Sequence, residues 1–593
     1  MDYIVALFVF WEQFMQSLSS HASLFKLLLS GMFISSSVHC ATEQGQNHIS
    51  ADHIYFGGDI LTMTTEQPQY AQAIVTKGEK ILYVGTHEEA MTYQTENTLL
   101  TDLEGKTLLP GFVDPHSHLY GVGLQAMVAN LLPPPDGGAN NVEKVIHILK
   151  SANGNETQRL FIDKTGWILG FGYDDAQLDR YPTKEDLDKV STERPVLIIH
   201  TSGHLSVANS KALEISGINA DSPNPPGGII RRKEGSQEPN GILEENAHFA
   251  VLFHLATIID SELQDKMLEA AQTMYTRFGY TTAQEGRATI ESYQAIKRAS
   301  ENDRLLIDVV AYPDMVSSSH FMDSPYHSND YNKHFRIGGV KLNFDGSPQG
   351  KTAWLTQPYF HPPHGHNDDY AGYSTFEDQQ AYQYVETAFS HDWQVLVHAN
   401  GDAAIDQLIR SVEHANKKLG QQDRRPVLIH GQTLRHDQIT RLGQLGIFPS
   451  LFPMHTFYWG DWHAESVLGQ PRAAFISPTQ AVKNAGLMFS THHDAPVALP
   501  NAFRVLDATV NRTTRSNKIL GPDQRVDVYT ALQAMTIWPA YQHFEEESKG
   551  SLTTGKNADL IILDKNPLKI SPSNLKDLKV ETTISRGQVV YQR

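Results

Sequence analysis

The chain has 593 residues, 40% hydrophobic and 19% charged, and 67 acidic against 48 basic residues give a net charge of −19. Such a composition is typical of a folded globular protein of roughly two to four domains. The acidic balance gives no basic footprint for a phosphate backbone, so we expect no nucleic-acid partner. A single cysteine excludes an intrachain disulfide and a cysteine-based zinc cluster, so that any metal must be held by histidine and carboxylate side chains.

The first 40 residues follow the layout of a secretory signal. Lys26 precedes an apolar run at 27–34, which is followed by small residues at 35–38. We therefore expect a signal peptide at 1–40 and an exported protein, periplasmic or secreted.

No membrane span is expected in this segment. Its apolar runs, 4–11 and 24–36, are shorter than the roughly 20 residues that a spanning helix needs. Cleavage after Cys40 removes the single thiol, whereas cleavage before Cys40 leaves a lipid anchor there; His39 disfavours the anchor, because lipoprotein signals usually carry a small residue at that place. Met15 is an alternative start that leaves one ordinary signal.

Short β-type runs separated by glycine lie near both ends of the remaining chain. They cover 54–85 on one side and 558–563 with 588–591 on the other. Strands of this length and spacing are typical of a small sandwich. We predict one β-sandwich domain built from 50–107 and 548–593.

Between these ends, apolar β runs alternate with amphipathic helices. The predicted strands are 108–118, 281–285, 306–312, 339–345, 394–398, 427–430, 447–452 and 487–494. Apolar strands that alternate with helices indicate a parallel sheet buried on both faces, and eight such units are typical of a closed barrel. We predict an α/β fold, a distorted (β/α)8 TIM-type barrel over 108–547, with an insertion at about 120–260 over its mouth.

Two histidines, His116 and His118, lie at the end of the first predicted strand. Side chains alternate between the two faces of a strand, so residues two apart share one face, with Cα atoms roughly 6.5 to 7 Å apart. Two imidazoles at this spacing can bind one metal ion. The pair alone is a weak signal, since histidine also packs and lies on surfaces.

The signal strengthens because three later predicted strands end in similar residues, His398, His430 and Asp494. The carboxyl ends of barrel strands meet at one mouth, where side chains remote in sequence come together. Four histidines and one aspartate around a common point predict a divalent metal site. Lys341 on the fourth strand allows two interpretations, a lysine carboxylated by CO2 that bridges metal ions, or an ion pair with Asp345 or another acid outside the metal shell.

Several segments together resemble the amidohydrolase superfamily of metal-dependent hydrolases. They are most similar to its third sequence group, which includes YtcJ-like proteins and N-substituted formamide deformylases. The resemblance covers nearly the whole chain after the predicted signal. It rests on 109–118, 203–210, 241–245, 340–347, 397–402, 429–430, 494–497 and 550–559.

The resemblance implies a metal site of one or two divalent ions. The implied ligands are His116, His118, His398, His430 and Asp494, with carboxylated Lys341 as a bridge. Zinc is the default ion for such donors, although Mn, Fe or Co could use the same ligands. Members of this sequence group usually carry small residues before the aspartate that corresponds to Asp494, whereas this chain has His492 and His493. The number of metal ions therefore stays open.

The implied chemistry is attack by a metal-activated water. Asp494 is the predicted general base, which takes the water proton and returns it to the leaving amine. His204 is predicted to help stabilise the oxyanion or to bind substrate, and Glu245 and Asp345 are predicted to bind substrate. A serine hydrolase is disfavoured, because no strand-to-helix junction carries a Gly-x-Ser-x-Gly elbow.

We therefore predict an exported metal-dependent hydrolase that cleaves a carbon–nitrogen bond of a small amide, formamide or N-acyl compound. A deaminase or cyclic-amide hydrolase on the same scaffold is the alternative within enzymes, since fold and metal set do not determine the leaving group. A binding protein that has lost turnover is the alternative outside enzymes. Substrate identity and oligomeric state do not follow from the sequence.

Overall fold

The computed structural model describes residues 50–203, 205–225, 227–363 and 365–593. The predicted signal peptide, Cys40 and His204 lie outside the described residues. Within the described part of the chain, no helix has the length and apolar character needed to cross a membrane.

A sheet built from both chain ends forms the β domain. Its described strands are His53–Leu61, Tyr70–Lys77, Lys80–Gly85, Leu99–Asp102, Thr107–Pro110, Leu560–Leu563, Val580–Ser585 and Gln588–Gln592. The two ends join where Leu560–Leu563 pairs antiparallel with Thr107–Pro110. Their side chains, such as Leu108 and Ile562, share one apolar cluster, so that burial of this cluster holds the termini together.

Eight described strands form the barrel. They are labelled β1 (Phe112–Val113), β2 (Tyr280–Ala288), β3 (Asp308–Pro313), β4 (Phe335–Ile337 and Gly339–Asn343), β5 (Gln394–Ala399), β6 (Val427–His430), β7 (Phe448–Leu451) and β8 (Ser490–Thr491). Neighbouring strands pair in parallel from β1 to β4 and from β4 to β8. Beyond β8, the Asp494 amide donates to the His116 carbonyl, 3.3 Å away, which brings the last strand back to the first. The predicted fold class is confirmed.

Strand β4 joins the two sheets of the barrel, and two glycines, Gly338 and Gly339, lie where its two parts meet. Its first part pairs with β3 and its second part with β5. A Cβ at Gly338 would lie 2.7 Å from the Tyr312 hydroxyl, and one at Gly339 would lie 2.2 Å from the Gln394 carbonyl oxygen. Only glycine permits such close approach to both neighbours.

The predicted first barrel strand, 108–118, is divided in the structure. Thr107–Pro110 belongs to the β domain, and only Phe112–Val113 pairs with β2. At Gly111 a Cβ would lie 2.3 Å from Thr281 Oγ1. His116 and His118 therefore lie in the segment after β1, and the prediction that they share one strand face was wrong.

Helices surround the barrel. They are Leu119–Met127, Ser261–Arg277, Ile290–Glu301, Asp378–Ser390, Asp402–Leu419, His436–Leu445, Met454–Trp462, Thr479–Asn484, Ala502–Asn511, Val528–Gln533 and Ile537–Gln542. Asp402–Leu419 shows why they pack there. Its residues Ile405, Leu408 and Val412 recur at helical spacing and are buried in the barrel core.

The segment between Leu119–Met127 and Ser261–Arg277 carries a separate sheet. Its described strands are Ala129–Asn130, Ile168–Tyr173, Val196–His200, Leu205–Ala208, Gly228–Arg232 and Pro239–Glu245. The helices packed with it are Val142–Ser151, Glu156–Thr165, Lys184–Asp188, Ser210–Ile215 and Asn246–Ala256.

The insertion contacts the helix that follows β7 and the loop that follows β8. The Thr201 hydroxyl donates to the Val497 carbonyl at 3.2 Å, and the Tyr458 hydroxyl donates to Asp136 at 2.5 Å. The insertion therefore lies against the carboxyl ends of the barrel strands.

Candidate functional site

A cavity of about 330 Å3 lies where the barrel strands end. The insertion lines one side of it with Phe171, Thr201, Ser202 and Gly203. The barrel contributes all the residues that the sequence predicts as metal ligands, namely His116, His118, Lys341, His398, His430 and Asp494. Side chains separated by up to 378 positions thus share one cavity, because every parallel strand ends at the same mouth.

Asp494 lies at the centre of this group. Its Oδ1 lies 3.5 Å from His116 Nε2 and 3.4 Å from His118 Nε2, and its Oδ2 lies 4.0 Å from His430 Nε2. Ligand atoms of His116, His430 and Asp494 all lie within 4.8 Å of one another. The Asp494 backbone has φ +53°, a left-handed conformation that aspartate tolerates better than most residues.

The orientation of His116 is determined by a neighbouring amide. Gln284 Nε2 donates to the Pro115 carbonyl at 2.7 Å, so that Gln284 Oε1 faces His116 Nδ1, also at 2.7 Å. His116 therefore carries its proton on Nδ1 and presents the Nε2 lone pair to the cavity. Such a partner on the far nitrogen is typical of a metal-binding histidine.

Lys341 is buried beside this lone pair. Its Nζ donates to His116 Nε2 at 3.0 Å. Burial lowers the pKa of Lys341 to about 7, because the charged form is poorly solvated there. With that pKa, about half of the amine is neutral near pH 7, and the neutral form has the lone pair that reaction with CO2 requires.

Asp345 lies beneath the loops instead of on the cavity wall. Its carboxylate accepts from the backbone amides of Trp354, Asn400 and Gly401 at 2.7 to 3.0 Å. Its Oδ1 also lies 3.2 Å from His398 Nδ1. The predicted direct contact with substrate is corrected accordingly, since these partners make Asp345 a residue that holds the loop after β5 and places a negative charge beside His398.

Glu245, also predicted to bind substrate, ends the inserted strand Pro239–Glu245 with φ +49°. It is half-buried and is not among the described residues that line the cavity. His204 follows the cavity-lining Gly203, but its own position lies outside the described residues.

The two histidines before Asp494 differ in their surroundings, although both are fully buried. His493 accepts from the Ala495 amide at 3.0 Å, and its Nε2 lies 3.5 Å from Asp114. His492 stacks on Phe452 with ring centroids 4.8 Å apart, and neither of its ring nitrogens has a hydrogen-bond partner within the described ranges. Burial holds the pKa of both rings well below the ordinary value, so that both are neutral.

Several cavity residues escaped prediction from the sequence. These are Arg287, Asn343 and Asn400. Arg287, Asn343 and Asn400 lie at or just after the ends of β2, β4 and β5, so that the rule that located the histidines could have located them too. Their polar but common residue types gave no separate signal.

Known proteins resemble this chain in sequence and in fold. A model of the amidohydrolase family matches residues 100–591. YtcJ of Bacillus subtilis strain 168 is 27% identical over 561 residues, covering 91% of this chain and 99% of that protein. N-substituted formamide deformylase of Arthrobacter pascens is 25% identical over 547 residues, covering 88% of this chain and 95% of that protein. Among solved structures, an uncharacterized metal-dependent hydrolase from Pyrococcus furiosus has a TM-score of 0.69 and 25% identity, covering 87% of this chain and all of that one.

Proposed function

Because the chain belongs to the amidohydrolase family, we propose that it hydrolyses a carbon–nitrogen bond of a small amide, formamide or N-acyl compound. Membership of this family and similarity to a metal-dependent hydrolase indicate that the chain is a hydrolase that uses a divalent metal. The convergence of His116, His430 and Asp494 on one point is the observation that carries the proposal. The 25% identical formamide deformylase, by its name, supports an amide-type substrate.

The donor set fits a divalent ion. Asp494 Oδ1 and His430 Nδ1 are buried without a hydrogen-bond partner among the described residues. Unpaired buried polar atoms are costly, and a bound cation would pair the carboxylate oxygen. Imidazole and carboxylate together suit zinc, which we propose as the ion.

We propose His116, His118, His398, His430 and Asp494 as the ligands, with carboxylated Lys341 as a further one. When bound, the metal supplies an acidified water and polarises the substrate carbonyl. The buried, lowered-pKa amine of Lys341 supports carboxylation, because CO2 reacts with neutral amines.

The proton transfers of the reaction are carried out by the protein's own side chains. Asp494 accepts the proton of the attacking water and passes it to the departing nitrogen, which leaves more readily as an amine than as an anion. Its Oδ1, within 3.5 Å of both His116 and His118, is held at the cavity floor. Phe171 and Thr201 of the insertion line one side of the cavity above this floor.

The test is Asp494→Asn, assayed on formanilide, N-butylformamide and N-acetylglycine with saturating zinc. With zinc raised until the remaining ligands His116, His118, His398 and His430 hold it, we expect turnover to fall about 10²- to 10⁴-fold, because the amide cannot take a proton. Asp437→Asn, an exposed acid, serves as the matched control.

The products separate the competing reactions. Turnover of these probes to carboxylate and amine supports amide hydrolysis, whereas ammonia release from an aminopyrimidine such as cytosine, with the three probes left intact, marks a deaminase. Unchanged turnover in Asp494→Asn, or wild-type activity that survives exhaustive chelation, would contradict the proposal.

We also propose export, from the signal-like segment at 1–40. Expression of the full chain in a bacterial host, followed by fractionation and determination of the mature amino terminus, tests this. Full-length protein confined to the cytoplasm would contradict it.

A further inference from the structure

Two buried histidines, His455 and His463, lie together beside the proposed metal ligands. His455 lines the cavity, and His463 is fully buried behind it. His455 Nδ1 and His463 Nε2 are 3.1 Å apart, and the two rings stack with centroids 5.4 Å apart and planes inclined by 18°. The hydrolysis proposed above uses neither residue.

The backbone that carries the pair is irregular. The helix Met454–Trp462 passes at His463 into a π-helical turn, His463–Val467. Eight residues of regular α-helix rise about 12 Å, so that the two side chains must lean toward each other to meet. Single π-helical turns are rare and occur frequently at functional sites.

The proton positions of the pair follow from its surroundings. Both rings are neutral, because burial lowers the pKa of His463 to about 3 and holds that of His455 well below its ordinary value. The hydrogen bond between them contains one proton. It belongs either to His463 Nε2 or to His455 Nδ1.

The two arrangements leave different atoms unpaired. His463 Nδ1 is buried and has no hydrogen-bond partner among the described residues. If His455 donated, His463 would carry its proton on Nδ1, a buried N–H without an acceptor, which proteins rarely tolerate. If His463 donates, Nδ1 is a lone pair instead, and the proton of His455 lies on Nε2.

The Nε2 edge of His455 borders the cavity, since Nδ1 is engaged by His463. Asn343, His398 and Asn400 line the same cavity. His455 therefore presents a neutral N–H donor to the space in which a substrate would lie near the proposed ligand His398.

We propose that His455 donates a hydrogen bond from Nε2 to the substrate carbonyl oxygen, and that His463 is the positioning residue that holds His455 in this tautomer. The inference rests on the proposed amide hydrolysis, in which that oxygen gains negative charge as water attacks the carbonyl carbon. A donor fixed in advance stabilises this charge without reorganisation. A neutral imidazole does so without repelling a nearby divalent cation.

Kinetics of three variants test the role of the pair, with formanilide, N-butylformamide and N-acetylglycine as probes and zinc saturating. Removal of the donor in His455→Leu is expected to lower kcat about 10²-fold with little change in KM, the size typical of one lost oxyanion donor. His463→Gln keeps an N–H near the position of Nε2 and should retain near wild-type kcat. His463→Leu removes it and should lower kcat on the order of 10-fold.

The Gln and Leu variants at 463 separate tautomer control from packing, since both replace the ring. Equal kcat in the two variants, or a His455→Leu effect confined to KM, would overturn the inference. His414→Leu, which removes a surface histidine paired with Glu386, is the matched control and should leave kcat unchanged.

The tautomer itself is read from ¹⁵N NMR of zinc-loaded protein labelled at histidine, with His455 assigned by difference from His455→Leu. We expect the Nε2–H form in the wild type and in His463→Gln, and a mixture in His463→Leu. An Nδ1–H form in the wild type overturns the inference. If the wild type hydrolyses none of the probes, the proposed function fails instead, and the spectrum still decides the tautomer.

Discussion

A metal-binding histidine needs its ring held in one orientation. Gln284 provides this for His116 by a hydrogen bond, whereas Asp345 places a negative charge beside His398, whose Nδ1 makes no hydrogen bond among the described residues. Gln284 accepts from His116 Nδ1 at 2.7 Å, and Asp345 Oδ1 lies 3.2 Å from His398 Nδ1. Such partners raise the basicity of the opposite nitrogen and cut the entropy lost when a metal binds. The proposed ligands therefore depend on side chains that would not touch the metal.

Asp345→Asn tests this dependence. The change keeps the shape of the side chain but removes its charge and replaces one acceptor oxygen with a donor, so that His398 loses its anionic partner. We expect zinc affinity to fall roughly 10- to 100-fold, measured by competition with a chelating dye. Asp406→Asn, an acid paired with Arg435 on the surface of the barrel, is the control. Unchanged affinity in Asp345→Asn would show that His398 needs no such support.

At the scale of elements, the site depends on how closely strand β2 passes beneath the segment after β1. The Gly286 amide donates to the Ser117 carbonyl at 2.7 Å. A Cβ at Gly286 would lie 2.5 Å from His116 Cε1 and 2.7 Å from Gln284 Oε1. Only glycine fits at position 286, because any Cβ there would overlap the His116 ring and the Gln284 side chain.

Gly286→Ala is therefore expected to displace the His116 ring and break its hydrogen bond to Gln284. Zinc retained per chain after dialysis should fall well below the wild-type value, with affinity lower by about 10-fold or more. Gly138→Ala is the matched control, because a Cβ there meets no atom within 4 Å. Wild-type zinc content in Gly286→Ala would refute the argument from close approach.

At the scale of the molecule, buried charges join the β domain to the amino-terminal end of the barrel. Asp308 of β3 pairs with Lys549 at 2.6 Å and with Arg586, in the turn of the last hairpin, at 3.0 Å. Glu545 pairs with Arg336 of β4 at 2.6 Å and with Lys549 at 3.2 Å. Loss of one partner in such a network leaves an uncompensated buried charge.

Glu545→Gln is expected to lower the free energy of unfolding of metal-free protein by about 3 to 5 kcal/mol at pH 7. Burial alone would raise the pKa of Glu545, but Lys549 and Arg336 outweigh burial and lower it to about 2 from the ordinary 4.5. The stability that this carboxylate contributes is therefore complete above about pH 4.5 and is lost as the pH falls toward 2.

Urea unfolding across this pH range measures the effect. The difference between wild type and Glu545→Gln should narrow as the pH falls, because the wild-type carboxyl becomes neutral too. Glu96→Gln, at an exposed acid, is the control and should match the wild type at every pH. A difference that is independent of pH would exclude the charge as its cause.

Local patterns in the sequence determined the fold class and the family. Alternation of apolar strands with amphipathic helices is a property of neighbouring residues, and it predicted the barrel before any contact was known. The same reasoning located His398, His430 and Asp494, because each ends a predicted barrel strand. Carboxylation of Lys341, the roles of Glu245 and His204, and export stay predictions.

Only the tertiary structure decided which side chains support these residues. It divided the predicted first strand at Gly111, placed Asp345 beneath His398 and paired His455 with His463. The physical reason is that close approach and hydrogen-bond pairing depend on atoms brought together from distant parts of the chain. Periodicity along the sequence indicates which face of a helix or strand is buried, but it does not indicate which distant residue packs against that face.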